Sequence, residues 1–339
     1  MFVCDEEGQP LLILLTKATY NIVGERLDAL LLADEQSEVL FEGECHGNAA
    51  DSSYRYEPEL AWEKRGTDVV LIGHARAPRT NTKVLDVGFR VGPVRQVARV
   101  YGDRGWIRAM GRISSTEPRA FEKIPLIYER AFGGVDTSLD DPVRTFFEER
   151  NPVGRGYRHK KGRFEEQTLL PNIESPRYPV RSYTDHPEPV GFGFVSPNWQ
   201  PRARYAGTYD KRWSNTREPL LPADFDRRFF NAAAPQLTVK GWLRGDEGVQ
   251  LQNISKRPDS GFMLPGQAPP SYNVKFRRSG TVELVGNLDT VIINTDDNLV
   301  HLLWRACLRV PGQPHDVAEI SAETSMVACQ QTAMSGARR

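Results

Sequence analysis

Cysteine is scarce in this sequence: Cys4, Cys45, Cys307 and Cys329 stand singly among 339 residues, with no C-x-x-C pair. That spacing excludes a disulfide framework and a zinc knuckle and predicts free thiols. Net charge is lacking too, because Lys plus Arg and Asp plus Glu each number 44. No overall field draws the chain to nucleic acid or to an anionic membrane, so neither is expected as a partner. Long apolar runs are missing as well. The longest near the start, residues 11–15, falls far short of the roughly 18 residues that cross a bilayer. Asp5, Glu6 and Glu7 stand where a secretory leader carries Lys or Arg, which predicts a cytoplasmic protein.

Motifs that carry chemistry are also absent. There is no G-x-S-x-G elbow, no S-x-x-K pair and no H-x-x-x-H spacing. The glycines of Asn151-Pro152-Val153-Gly154-Arg155-Gly156 are not followed by G-K-[ST], so they read as turn chemistry and not as a phosphate cradle. Asp224-x-Asp226 and Asp296-Asp297-Asn298 lack the glycine and distal glutamate of a calcium loop, and read as caps or turns. No metal and no cofactor is expected.

Glycine (28) and proline (24) are plentiful and predict many turns and few long helices. Residues 11–22 and 68–77 read as strands. In residues 83–91, Leu85, Val87, Phe89 and Val91 alternate with polar or small residues, the period of a sheet with one buried face. Residues 95–101 lead through Gly102-Asp103-Arg104-Gly105 to Trp106, which predicts a hairpin. Strands return at 248–254, 273–278, 281–286 and 289–294, and a long alternating strand is expected over 300–310. Between them the chain is rich in Pro, Gly and aromatic side chains, too aromatic for a solvated coil, with a short helix expected after Pro222 over 223–230.

The fold class expected is mainly β: a two-lobed or intertwined antiparallel sheet or sandwich body with a loop-rich middle and few short helices. Its parts are an N-terminal β lobe over 1–135, a loop-rich segment over 136–235, C-terminal strands over 236–311 on the same body, and a mobile tail over 312–339.

A series of short blocks resembles a known family. It runs from Lys17-Ala18-Thr19-Tyr20 through Gly73-His74-Ala75-Arg76-Ala77-Pro78, Gly102-Asp103-Arg104-Gly105-Trp106 and Tyr128-Glu129-Arg130-Ala131-Phe132-Gly133-Gly134. It continues with Asn151 to Tyr157, Leu170-Pro171-Asn172-Ile173-Glu174, Ala206-Gly207-Thr208-Tyr209-Asp210, Trp213, Arg217 to Asp226, and Phe229-Phe230-Asn231. In order and spacing these blocks resemble the domain-of-unknown-function accessory proteins found with type VI secretion systems, which act as effector adaptors or chaperones. The resemblance implies a non-catalytic cytoplasmic protein that binds an effector and helps load it onto the VgrG spike or PAAR tip. It supplies no catalytic residue.

Aromatic and arginine side chains are the types enriched at interface hot spots. Partner-binding or scaffold candidates are therefore Arg130, Phe132, Arg155, Tyr157, Trp199, Tyr209, Trp213, Arg217, Asp224, Asp226, Phe229 and Asn231. A second expectation, a carbohydrate-active enzyme or sugar-binding protein, rests on Asp210, Glu218, Asp224 and Asp226 close to Trp199, Tyr209 and Trp213. Open paired carboxylates would favour that chemistry; carboxylates held by arginine would favour scaffolding.

Overall fold

A computed structural model of the chain describes residues 1–24, 28–139 and 145–324. Its architecture is mainly β. Three sheets of more than two strands organise it, and the first takes strands from both ends of the chain. Pro10–Val23, fourteen residues long, pairs antiparallel with Leu299–Arg309 from Leu11 opposite Arg309 to Asn21 opposite Leu299. Phe2–Cys4 and Ala29–Leu32 pair with Pro10–Val23, and Asn287–Asn294 lies on the far side of Leu299–Arg309. Asp68–Ile72 closes that edge as a parallel strand, Asp68 opposite Thr290.

The second sheet runs Ile173–Glu174, Val94–Tyr101, Val84–Val91, Gly248–Gln252, Asp259–Met263. Both sheets feed one core, in which Tyr20, Val70, Leu302 and Trp304 meet Val87, Phe89, Val91 and Val100. The third sheet, Gly280–Val285, Ser271–Phe276 and Val317–Glu323, packs Tyr272, Val274 and Phe276 on Leu12, Leu14, Ala306 and Val310. Burial on both faces explains why residues 11–15 are a continuous apolar run.

Several local expectations change. Val94–Tyr101 turns back on Val84–Val91 through Gly92 and Pro93, while Trp106–Ala109 starts a separate hairpin with Arg112–Ser115. Met110 and Gly111 both take positive φ there, as a two-residue hairpin turn requires. The Gly102 N–H bonds the Lys83 carbonyl and so prolongs the ladder of Val84 on Tyr101 by one rung. The helix expected over 223–230 is shorter: Phe225 closes a turn on Pro222, Asp226 bonds back to Tyr205, and only Arg227–Phe230 forms a 3-10 turn. The α-helix among the described residues is instead Lys211–Thr216, capped by Asp210. After Pro311 the chain is not simply a tail: Pro314–Asp316 is a 3-10 turn and Val317–Glu323 a strand. Cys329 and residues 325–339 lie outside the described residues. Cys4, Cys45 and Cys307 are free thiols. No helix of the described residues is long and apolar enough to cross a membrane.

Polar groups are buried at the parallel edge. Asp68 accepts from Lys64 Nζ (2.9 Å), Asn231 Nδ2 (2.9 Å), Thr238 Oγ1 (3.0 Å) and the Ala232 N–H (2.8 Å). Lys64 also donates to Thr290 Oγ1 (2.7 Å), which donates to Asp289 (2.8 Å), and Asp289 accepts from Arg305 Nε (2.5 Å). Arg305 also donates from Nη1 and Nη2 to the Ala61 and Glu59 carbonyls. A buried charge is tolerated only when it is paired and hydrogen-bonded, and each ion here is both.

Two outcomes follow for stability. Asp68→Asn should cost about 3 kcal/mol in denaturant unfolding, because it strands the Lys64 ammonium; adding Lys64→Met should recover part of that loss. His301 is buried against Thr19 and Tyr56, and burial pushes its pKa down to about 4. The neutral ring therefore supports the fold fully above about pH 6.5, and that support is lost as pH falls through 4. Unfolding free energy of the natural chain should fall by up to about 3 kcal/mol more than that of His301→Gln between those pH values.

Candidate functional site

The twelve candidate residues separate into three places. Arg130, Phe132, Arg155 and Tyr157 belong to a knot around Asn151, whose buried amide donates to the Tyr128 carbonyl (2.8 Å) and the Phe132 carbonyl (2.9 Å). Phe132–Gly133 pairs in parallel with Arg155–Gly156. A side chain at Gly133, where φ is 151°, would collide with the Asn151 backbone, so glycine is required. Arg130 and Arg155 converge on Asp103, at 3.5 and 3.8 Å, and Asn172 donates to the same carboxylate at 3.0 Å.

Trp199, Phe229 and Asn231 serve the interior. Trp199 is buried edge-on against Tyr128, with ring centroids 5.4 Å apart. Asn231 bonds the Arg65 N–H, the Gly66 carbonyl and Asp68. Phe229 lies under Arg202, whose guanidinium grips Glu57 in a fork at 2.9 and 2.7 Å. Burial raises the Glu57 pKa against the opposing pull of Arg202. A cavity of about 310 Å³ adjoins them, lined also by Lys64 and Arg305. The cationic heads along it already have partners in the fold.

Tyr209, Trp213, Arg217, Asp224 and Asp226 sit on or at the base of a surface arm. Tyr209 is 53% exposed and meets Trp213 edge-on at 4.7 Å. Trp213 donates from Nε1 to the Leu220 carbonyl (2.8 Å), and Arg217 fastens the arm to the Glu6 carbonyl (2.6 Å). Every carboxylate of the sugar-chemistry expectation has a local bond. Asp210 caps the helix through the Trp213 N–H, Glu218 accepts from Ser214, Asp224 accepts from the Thr208 N–H and hydroxyl, and Asp226 is gripped by Arg228. The bonds from Thr208 and from Arg228 hold Asp224 and Asp226 below the usual carboxylate range, opposite to what a general acid needs.

Open features among the described residues include a groove of about 780 Å³ along Val84–Val91, Gly248–Gln252 and Asp259–Met263, which holds none of the twelve candidates, and a cleft of about 700 Å³ beside the Asn151 knot. Segments 147–150, 186–189, 200–204 and 234–236 wall the cleft, with Tyr157 between them. Arg150 holds two of these walls together by a fork to Glu148 (2.6 and 2.8 Å) and a bond to the Pro187 carbonyl (3.2 Å). The Gln200 N–H bonds the Glu149 carbonyl at 2.9 Å and joins a third. His186 donates from Nε2 to the Arg158 carbonyl (2.7 Å), which fixes the ring stacked on Tyr157 at 4.9 Å. Phe147 is 41% exposed, and the exposed Glu149 and Glu188 carboxylates have no bonded partner among the described residues. Of the cleft's side chains only Tyr157 is among the twelve candidates. Phe147, Glu149, His186 and Glu188 belong to no motif; the one sequence signal for Phe147 is its place beside Phe146 in an aromatic-rich segment. Among the described residues no group of three or more His, Cys, Asp or Glu side chains gathers as a metal site would.

No curated protein and no solved structure matches the chain. A family described as an uncharacterized protein conserved in bacteria, DUF2169, matches residues 7–305. That span includes the second sheet, most of the first, the Asn151 knot, the arm and every wall of the cleft. The chain therefore belongs to this bacterial family.

Proposed function

We propose that this chain is a non-catalytic adaptor that binds a type VI secretion effector in the cytoplasm and assists its loading onto the VgrG spike or PAAR tip. The observation that carries the reading is the cleft. Three of its walls are tied by the half-buried Arg150 guanidinium and by the Gln200–Glu149 backbone bond, which preforms it, and an interface that needs no ordering retains more of its contact energy. Its exposed groups include the Phe147 ring, an apolar anchor of the kind a protein partner covers, rimmed by Glu149, Glu188 and Arg204. The carboxylates at 210–226, by contrast, are occupied in caps and ion pairs, which supports scaffolding over sugar chemistry. The effector partner and the secretion role rest on the resemblance of the motif series, and the contact surface on the cleft.

The test is co-purification of the chain with the effector and spike proteins encoded beside it, followed by titration of the recovered effector. Phe147→Ala combined with Glu149→Lys should weaken that complex about a hundredfold, the scale of a hot-spot loss. The thermal midpoint should not move, because both side chains are exposed. Failure to form a complex with any of these proteins would end the adaptor reading. A complex indifferent to both substitutions would remove the cleft from it.

A further inference from the structure

Among the described residues the third sheet ends on an uncovered strand. Val317–Glu323 pairs with Ser271–Phe276 on one side only, and its other side has no backbone partner among the described residues. Seven residues span about 23 Å, longer than an average strand. Its start is fixed: the Arg277 N–H bonds the Asp316 carbonyl (2.9 Å) and Arg277 Nε the His315 carbonyl (3.0 Å). Edge strands are ordinarily guarded by proline, lysine, an inward charge or a bulge; this one has no proline, lysine or inward charge, and its one irregularity falls at its start, opposite Lys275 and Phe276, leaving 319–323 in regular register. We propose that this edge takes up an extended, basic segment of a partner protein as an added β-strand.

The two faces of the strand specify the segment. On the core face Ile320 stands opposite Val274 yet is 43% exposed, so an added strand would cover it with an apolar side chain. On the outer face Glu319 and Glu323 alternate with Ser321, and Glu283 lies two strands away opposite Asn273. Lys275 answers only Glu319, at 3.9 Å between exposed groups, a pair worth little in water. Lysine or arginine at alternate positions of the incoming strand would complement this face through cross-strand pairs. A second copy fits badly, because antiparallel self-pairing about Ile320 gathers Glu319 and Glu323 of both chains on one face. The strand also lies beyond residues 7–305, the span the family match covers, so it is a feature of this chain outside what that match describes. The inference stands independently of the cleft.

The full chain should be mixed with a seven-residue peptide alternating lysine with valine and threonine, and with its counterpart carrying glutamate for lysine. Hydrogen exchange and fluorescence anisotropy would read binding up to millimolar peptide. The lysine peptide should slow exchange within 317–323 and bind about tenfold more tightly than the glutamate peptide. Glu319→Lys with Glu323→Lys, both exposed and tolerant of change, should reverse that order, and N-methylation of alternate peptide amides should abolish binding. Equal binding of the two peptides, an order unchanged by the double variant, or no protection at 317–323 at millimolar peptide would overturn the proposal. So would concentration-dependent dimerisation that itself protects 317–323, which would assign the edge to a second copy.

Discussion

One buried carboxylate holds the architecture together. Asp68 accepts four hydrogen bonds, from Lys64, Asn231, Ala232 and Thr238, while its backbone lies in parallel register with Thr290. An ionised group cut off from water must find such donors inside the protein or forfeit several kcal/mol. Meeting that demand brings the early strand, the late strand and the end of the loop-rich middle to one point. The consequences reach the surface. Ala232 also accepts from the Val195 N–H, Phe194 bridges to Ala233, and residues 234–236 form a wall of the cleft. The cleft is thus a downstream result of an ion pair that it does not contain.

The same logic replaces secondary structure through the middle of the chain. Buried backbone carbonyls need donors, and where no ladder exists side chains supply them. Asn151 serves Tyr128 and Phe132, Asn172 serves Tyr101, and Arg202 serves Val195 and Phe229. Asparagine and arginine suit this because each carries several donors in a fixed plane. Glycine completes the arrangement where backbones touch, as at Gly133. The middle is therefore ordered without being regular, and its stability is concentrated in a few amides and guanidinium groups.

Which of this was legible in the sequence follows from range. Strands with a local period showed themselves: residues 83–91 alternate because one face is buried, and residues 11–15 are uniformly apolar because both are. Pairing was not legible, since the register of Leu11 on Arg309 joins positions almost a chain length apart. The strand Leu299–Arg309 shows the limit most clearly. Its alternation of apolar and polar residues suggests one wet face, yet His301 and Arg305 are buried, reconciled by Thr19 and Asp289. The knot residues Arg130, Arg155 and Tyr157 could be found because blocks of fixed spacing carry them. The cleft's Phe147, Glu149 and Glu188 could not, because four separated segments converge to make it and no single one is distinctive.

What builds the scaffold is separate from what it leaves exposed. The motif residues spend their polar groups inward: Asn151 on carbonyls, Arg202 on Glu57, Asn231 on Asp68. Altering them removes a partner from a buried group, which is among the costliest changes a protein can suffer. Phe147, Glu149 and Glu188, and the outer side of Val317–Glu323, carry no such debt, and substitution there falls in the range of ordinary surface changes. The two surfaces also read differently. A rigid cleft selects side chains of matching shape and charge, whereas a strand edge binds backbone and takes only its alternate-position preference from charge. On the proposed adaptor reading, cargo changes at the surface while the interior stays fixed.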